Sequence, residues 1–321
     1  IPIIKTLKPT DPFIKAILFG IAWSGNCGGQ PTTIASPQNV IAAHVVNISG
    51  SHISFIDWIT FGTPVSIILT LLQWFYLISI FPKSSNERLQ IPTSSKEEPW
   101  SFRHTEAVII TFVTIFLWSF GDNLSWFMGH IGIASLIPIV CFFGSGILNT
   151  NDFNTLKWST LSLLGGGLAL GESMKLSGLL DVIAEGAREM LKGVSVLTLL
   201  IVILMAESIV ASILSSTTAA SIIFPLIMAI GENTGHAPLL VVLAALMIST
   251  SQLFHISSFP NALVSGVAFE ATPEQEREEG VRNGTTYLKG NEYFKYGWPT
   301  IIMGWIIIST VGYGAVSKLG L

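Results

Sequence analysis

Residues 34–39 read IASPQN, and residues 256–261 read ISSFPN. Each copy carries Ile, a small residue, Ser, a pair containing one Pro, and Asn in the same order, and each lies within long apolar sequence. Proline removes a backbone N–H, and Ser and Asn side chains compete for the backbone, so each copy is expected to interrupt a helix. Around the first, residues 14–23 read as apolar helix, residues 24–38 (SGNCGGQPTTIASPQ) as irregular, and the helix resumes at Asn39. Around the second, residues 237–254 read as helix, 255–260 as irregular, and the helix resumes over 261–269.

The sequence on either side explains where such breaks sit. Half of the 321 residues are hydrophobic and 11% are charged, against roughly 25% in an ordinary soluble domain. Charge-free runs cover 59–81, 131–148, 208–230 and 296–317, and each reaches the roughly 18–20 residues that cross a bilayer as a helix. The fold class read from this is an all-α, polytopic membrane protein. A formal net charge of -4 gives no reason to expect nucleic acid as a partner. Cys27 and Cys141 stand among apolar or small residues, so neither a disulfide framework nor a metal site is expected. The chain opens on Ile1 without a signal-peptide layout and reads as the middle of a longer protein.

Residues 82–106 and 270–297 hold 18 of the 36 charged residues. They read as aqueous loops, and their Lys and Arg content places both on the cytoplasmic face. An even number of crossings must then separate them, whereas five apolar segments, 107–127, 131–148, 158–183, 194–230 and 237–269, intervene. The segment 194–230 is too long for one span and is interrupted by Ser212, Ser215, Ser216, Thr217 and Thr218. It is therefore expected to be a helical hairpin that enters and leaves on one face, with its tip halfway through the bilayer. The predicted organisation is residues 1–81 as the end of a first repeat, a loop over 82–106, and a second inverted repeat over 107–321 containing the hairpin 194–230 and the broken helix 237–269. Six crossings accompany the hairpin.

A helix that stops at mid-membrane depth leaves backbone groups unpaired, and a ligand can satisfy them. Resuming helices point partly positive N-termini at the break, which suits phosphate, sulfate or carboxylate, while ending helices offer carbonyls to a small cation. Ser36, Ser258, Ser216 and Thr217 add hydroxyls that serve either ion. Paired interruptions of this kind mark the binding site of a secondary transporter. Among intramembrane ionisable residues, Glu172 and Lys175 read as a neutralising pair, Glu207 as either a residue near the membrane surface or a functional one, and His255 as either a hydrogen-bonded structural residue or a group that holds the anion or exchanges a proton with it.

These residues resemble a known family. WSGNCGGQPTTIASPQNVIAA is similar to the broken fifth helix of the divalent anion:sodium symporters, LLGGGLALGESMKLSGLL to the Gly-rich segment before their second hairpin, ILSSTTAASIIFPLI to that hairpin's Ser-Asn-Thr tip, and HISSFPNALVSG to the broken tenth helix. Within the family, the last break and the tail VGYGAVSKLG look most similar to fungal low-affinity phosphate carriers, which commonly have a soluble N-terminal SPX domain. The resemblance implies substrate contacts from Ser36, Asn39, Ser215, Ser216, Thr217, Ser258 and Asn261, and cation contacts from Thr33, Ser212, Ser216 and Ser257. It also implies an elevator motion, a homodimer in the plasma or vacuolar membrane with lipid around it, no cofactor beyond Na⁺ as coupling ion, no enzymatic activity, and a first hairpin preceding Ile1. Ser216 stands where the family usually has Asn, which brings proton-coupled or uncoupled transport beside sodium coupling. The expected substrate is inorganic phosphate; sulfate or a dicarboxylate is the alternative within transport, and a non-transporting fragment or regulatory membrane subunit the alternative outside it.

Overall fold

The structure, a computed structural model, describes residues 11–81, 99–121, 126, 131–156, 158–190, 193–232, 234–268 and 284–320. Among these residues there is no β-strand, only an isolated bridge between Ala268 and Thr286. The helices are α1 Pro12–Cys27, α2 Pro37–Ile48, α3 Phe55–Ile80, α4 Phe102–Ser119, α5 Ile131–Ala134, α6 Leu136–Gly144, α7 Thr150–Thr155, α8 Trp158–Leu176, α9 Leu179–Met190, α10 Val196–Ile213, α11 Ser216–Glu232, α12 Ala237–Ile248, α13 Phe259–Ser265 and α14 Gly290–Ile307. α14 continues through a π-helical turn, Ile308–Gly312, into α15, Tyr313–Val316, and a last 3₁₀ turn. Phe55–Ile80, Val196–Ile213 and Gly290–Leu319 are long and apolar enough to cross a membrane.

The chain divides into two compact units. One holds residues 54–57 and 93–162; within it the charge-free run 131–148 does not form the single span expected. It makes two short helices, α5 and α6, separated at Ser135. Pro138 is the physical reason: proline is accommodated in the first turn of a helix, where its missing N–H would have no partner, so a new helix begins just before it.

The other unit holds the remaining residues, including both breaks and the hairpin. Its centre is α12, in which every residue except Pro238 is buried. A helix apolar on all sides belongs inside, and α12 packs against α10, α11, α2 and the π-helical turn. At about 18 Å, by the 1.5 Å rise per residue, it is too short to cross a bilayer. A separate aromatic cluster of Phe19, Trp23, Phe81 and Tyr293 fastens α1, and Lys15 pairs with Glu292 at the start of α14.

Several boundaries differ from those read in the sequence. α12 ends at Ile248, six residues before the expected end, because the Thr250 and Ser251 hydroxyls both donate to the Met247 carbonyl and turn the chain. α1 runs to Cys27 instead of Trp23. The expected span over 158–183 is α8 and α9, divided at Gly178, whose φ of +74° is the left-handed conformation glycine permits. The expected aqueous loops lie largely outside the described residues. Of their described parts, residues 102–106 open α4 and 290–297 open α14, the latter capped by a bond from the Lys289 N–H to the Glu292 carboxylate.

Candidate functional site

The repeated hexapeptide is a helix start. In both copies Ser is the N-cap, in extended conformation, and Asn is the third helical residue: Ser36 and Asn39 open α2, and Ser258 and Asn261 open α13. The helices therefore resume two residues earlier than expected, at Pro37 and Phe259. Pro37 and Pro260 sit in the first turn, where proline costs nothing. Ser258 Oγ caps by accepting from the Asn261 N–H at 3.3 Å, whereas Ser36 makes no capping bond. Gly29 stands against Ser36 closely enough that a Cβ there would lie 2.2 Å from its Oγ.

The two asparagines brace the breaks from inside. Both are fully buried. Asn39 Nδ2 donates to the carbonyls of Gly29 (2.7 Å) and Thr32 (2.8 Å), which holds the first loop over its own helix start. Asn261 Nδ2 donates to Phe254 O at 3.1 Å, and its Oδ1 accepts from Asn26 Nδ2 at 3.2 Å. That last bond joins the two breaks across 235 residues of sequence. Gln30 Nε2 donating to Leu246 O (2.8 Å) and Gln38 Nε2 donating to Ser249 Oγ (3.0 Å) join them again. The two breaks are thus neighbours.

The hairpin completes the junction. α10 and α11 are separated only by Leu214 and Ser215, and the tip is pinned to the second break through Ser257. Both the N–H and the hydroxyl of Ser216 donate to Ser257 O, at 2.9 and 2.8 Å. The Ser257 hydroxyl donates in turn to Ser212 O at 2.7 Å. Three of the residues expected at a cation site, Ser212, Ser216 and Ser257, are therefore brought into one bonded cluster. Thr33 is half-buried in the first loop, and no bond ties it to that cluster. Ser215 Oγ meets Thr218 Oγ1 at 2.8 Å and starts α11. Thr217 is half-buried beside it, its carbonyl accepting from Ser221. His255 is exposed on the second break, its ring 6.3 Å from that of Tyr293.

Some of the carbonyls at the breaks are satisfied by α3 and α14, the Tyr293 hydroxyl of α14 donating to Asn261 O at 3.1 Å. The Cys27 carbonyl accepts from Ser66 at 2.6 Å and the Gln30 carbonyl from Trp58 Nε1 at 2.9 Å. Gly62 and Gly297 let these helices touch the breaks: a Cβ on either would lie 2.6 Å from a break carbonyl, Gln30 O and Gln252 O respectively. Sequence reasoning missed both, although the signal was present. Phe61-Gly62-Thr63-Pro64 and Tyr296-Gly297-Trp298-Pro299 are a second repeated pattern, each in the helix that follows a break. Three acceptors at the breaks, Gln30 Oε1, Asn39 Oδ1 and Gln252 Oε1, are buried without a hydrogen-bond partner, as is one donor beside Cys27, Gln73 Nε2.

Beyond the junction a cavity of about 440 Å³ opens between α2, α8, α9 and α11, lined among others by Ile41, His44, Ser221 and Glu232. Glu172 and Lys175 also face it, and no ion pair joins them among the described residues. Gly165 and Gly166 lie inside continuous α8 with no neighbour near a would-be Cβ.

Broken helices meeting a helical hairpin in an all-α frame of apolar helices fit the class of multi-pass membrane transporters. The chain belongs to the citrate transporter family, whose pattern matches residues 1–248 and 126–316. It is 30% identical to the low-affinity phosphate transporter PHO90 of Saccharomyces cerevisiae over 99% of this chain and 35% of that protein. It is likewise 30% identical to the inorganic phosphate transporter PHO87 of the same yeast, over 99% of this chain and 33% of that protein. The sodium-dependent dicarboxylate transporter SdcS of Staphylococcus saprophyticus is 28% identical over 79% of this chain and 53% of its own length. The chain spans about a third of the length of the two yeast phosphate transporters it matches.

Proposed function

We propose that the protein is a secondary active transporter of inorganic phosphate, and that this chain supplies the half of the site built from the hairpin tip and the two broken helices. The observation that carries the reading is their convergence: Ser36, Ser258 and the Ser215–Thr217 turn are held around one junction by Asn26–Asn261, Gln38–Ser249 and Ser216–Ser257. In this reading Ser36, Ser215, Thr217 and Ser258 offer hydroxyls to the oxyanion, and the first turns of α2 and α11 offer N–H dipoles. Asn39 and Asn261 act by holding the breaks open.

Residues 24–39, 212–221 and 249–261 contain no Lys or Arg. A phosphate bound here meets dipoles but no fixed positive charge, so a cation that binds with it lowers the cost of carrying it through the bilayer. The unpaired amide oxygens and the Ser212–Ser216–Ser257 cluster are acceptors suited to such an ion, Na⁺ being the expectation. Transport proceeds by an elevator motion in a homodimer. The similarity to a sodium-dependent dicarboxylate transporter favours a second reading, in which the oxyanion is a carboxylate pair.

Uptake of labelled phosphate and labelled succinate into proteoliposomes of the full-length protein, with and without a sodium gradient, separates the two. Saturable phosphate uptake that succinate does not compete away is expected. Succinate uptake without phosphate uptake overturns the substrate assignment. Ser258→Ala is expected to lower uptake about tenfold or more, the scale of one buried hydrogen bond to a charged group, and Ser216→Ala, which unpins the hairpin tip from Ser257, to lower it as well, with expression unchanged.

A further inference from the structure

One buried acid takes no part in the junction. Glu207 lies on the face of α10 formed by Leu200, Ile203, Leu204 and Ala211, is 2% exposed, and neither of its carboxyl oxygens has a hydrogen-bond partner. It lies about one and a half helical turns before the hairpin tip, where Ser212, five residues on, accepts the bond from Ser257. The next residue, Ser208, receives the indole N–H of Trp305 at 3.2 Å, and three residues beyond Trp305 α14 passes into its π-helical turn. Such turns inside α-helices occur frequently at functional sites.

A carboxylate enclosed in this way is costly unless a positive charge arrives with it. A hard metal ion needs several oxygen ligands. No cluster of three or more His, Cys, Asp or Glu exists among the described residues, and no hydroxyl bonds the carboxyl. A proton needs one lone pair. No charged neighbour among the described residues of the helices packed on it competes for it: Glu207 is the one titratable residue of α10, α12 and the π-helical turn carry none, and α11 carries only Glu232 at its last residue. On α14 the titratable residues are Glu292, Tyr293, Lys295 and Tyr296, all at least about 12 Å along the helix from Gly304, at the 1.5 Å rise per residue.

We infer that Glu207 is the proton-carrying group of the hairpin, taking a proton from water on one side of the membrane and returning it to water on the other during each transport cycle. A proton added to one carboxyl oxygen leaves the hairpin neutral there while phosphate crosses, and for phosphate monoanion the transfer is then electroneutral. The role is separate from any sodium held at the breaks. It rests on the transport reading above.

The test uses the full-length protein in proteoliposomes, with equal sodium inside and outside and the interior made alkaline. The wild type is expected to accumulate labelled phosphate. Glu207→Gln is expected to lose that accumulation while keeping phosphate–phosphate exchange at equal pH, and Glu207→Asp, which restores an acid, to regain part of it. Infrared difference spectra of the purified protein between two pH values are expected to show a carboxylic acid C=O band that Glu207→Gln removes. Wild-type accumulation in Glu207→Gln, or a band it does not alter, overturns the inference. So does loss of exchange along with accumulation in Glu207→Gln without recovery in Glu207→Asp, which assigns the residue to packing. If the wild type moves no phosphate in either assay, the transport reading fails, and the infrared band still decides whether this carboxyl exchanges a proton.

Discussion

At the scale of single residues, the asparagines do more than the serines to shape the site. Asn261→Ala removes the partner of Phe254 O and of Asn26 Nδ2 together, leaving two buried polar groups unpaired at about 1–3 kcal/mol each. A marked drop in the thermal unfolding temperature of the detergent-solubilised protein is expected, larger than for Ser258→Ala, which loses one helix cap at roughly 1 kcal/mol. Equal shifts for the two variants would show that Asn261 does not bridge the breaks. The types and order of these residues were legible in the sequence; their division of labour was not. Ser and Asn each both donate and accept, and which atom finds which partner depends on residues 235 positions away.

At the scale of elements, each break is clamped by the helix that follows it. Gly62 and Gly297 bring α3 and α14 against break carbonyls at distances no side chain allows. Gly62→Ala and Gly297→Ala are each expected to displace a break and abolish most uptake. Gly165→Ala, where nothing lies near the added Cβ, is expected to leave uptake intact and to gain up to about 1 kcal/mol of helix stability. Uptake assays beside thermal unfolding check all three, and wild-type uptake by Gly297→Ala would refute the clamp. The hairpin was readable in advance because its length exceeded one span and residues 212–218 at its centre carry five hydroxyl side chains. The early end of α12 at Ile248 was not, because Ser249–Gln252 has side chains that satisfy either a helix or a turn.

For the whole molecule, the elevator reading requires both breaks to travel as one body. Gly25 and Pro260 allow a direct test: a Cβ built on Gly25 lies 3.4 Å from Pro260 Cβ, close to the separation in a disulfide. With Cys27 and Cys141 replaced, the pair Gly25→Cys and Pro260→Cys is expected to cross-link on oxidation. Phosphate uptake by the cross-linked protein is expected to match that of the reduced form. Loss of uptake on cross-linking, restored by reduction, would mean the breaks move against each other and would rule out their riding together.

The sequence by itself determined the apolar helices, the two interruptions and the hairpin, because hydropathy over some twenty residues and the backbone chemistry of Pro, Gly and Ser are local properties. Tertiary structure alone decided that the interruptions touch, that α3 and α14 take up the carbonyls left at the first helix's end and beside the second break, and that Glu207 is shut away from water. Those outcomes depend on which surfaces pack together, and packing joins residues whose separation along the chain carries no trace of their distance in space.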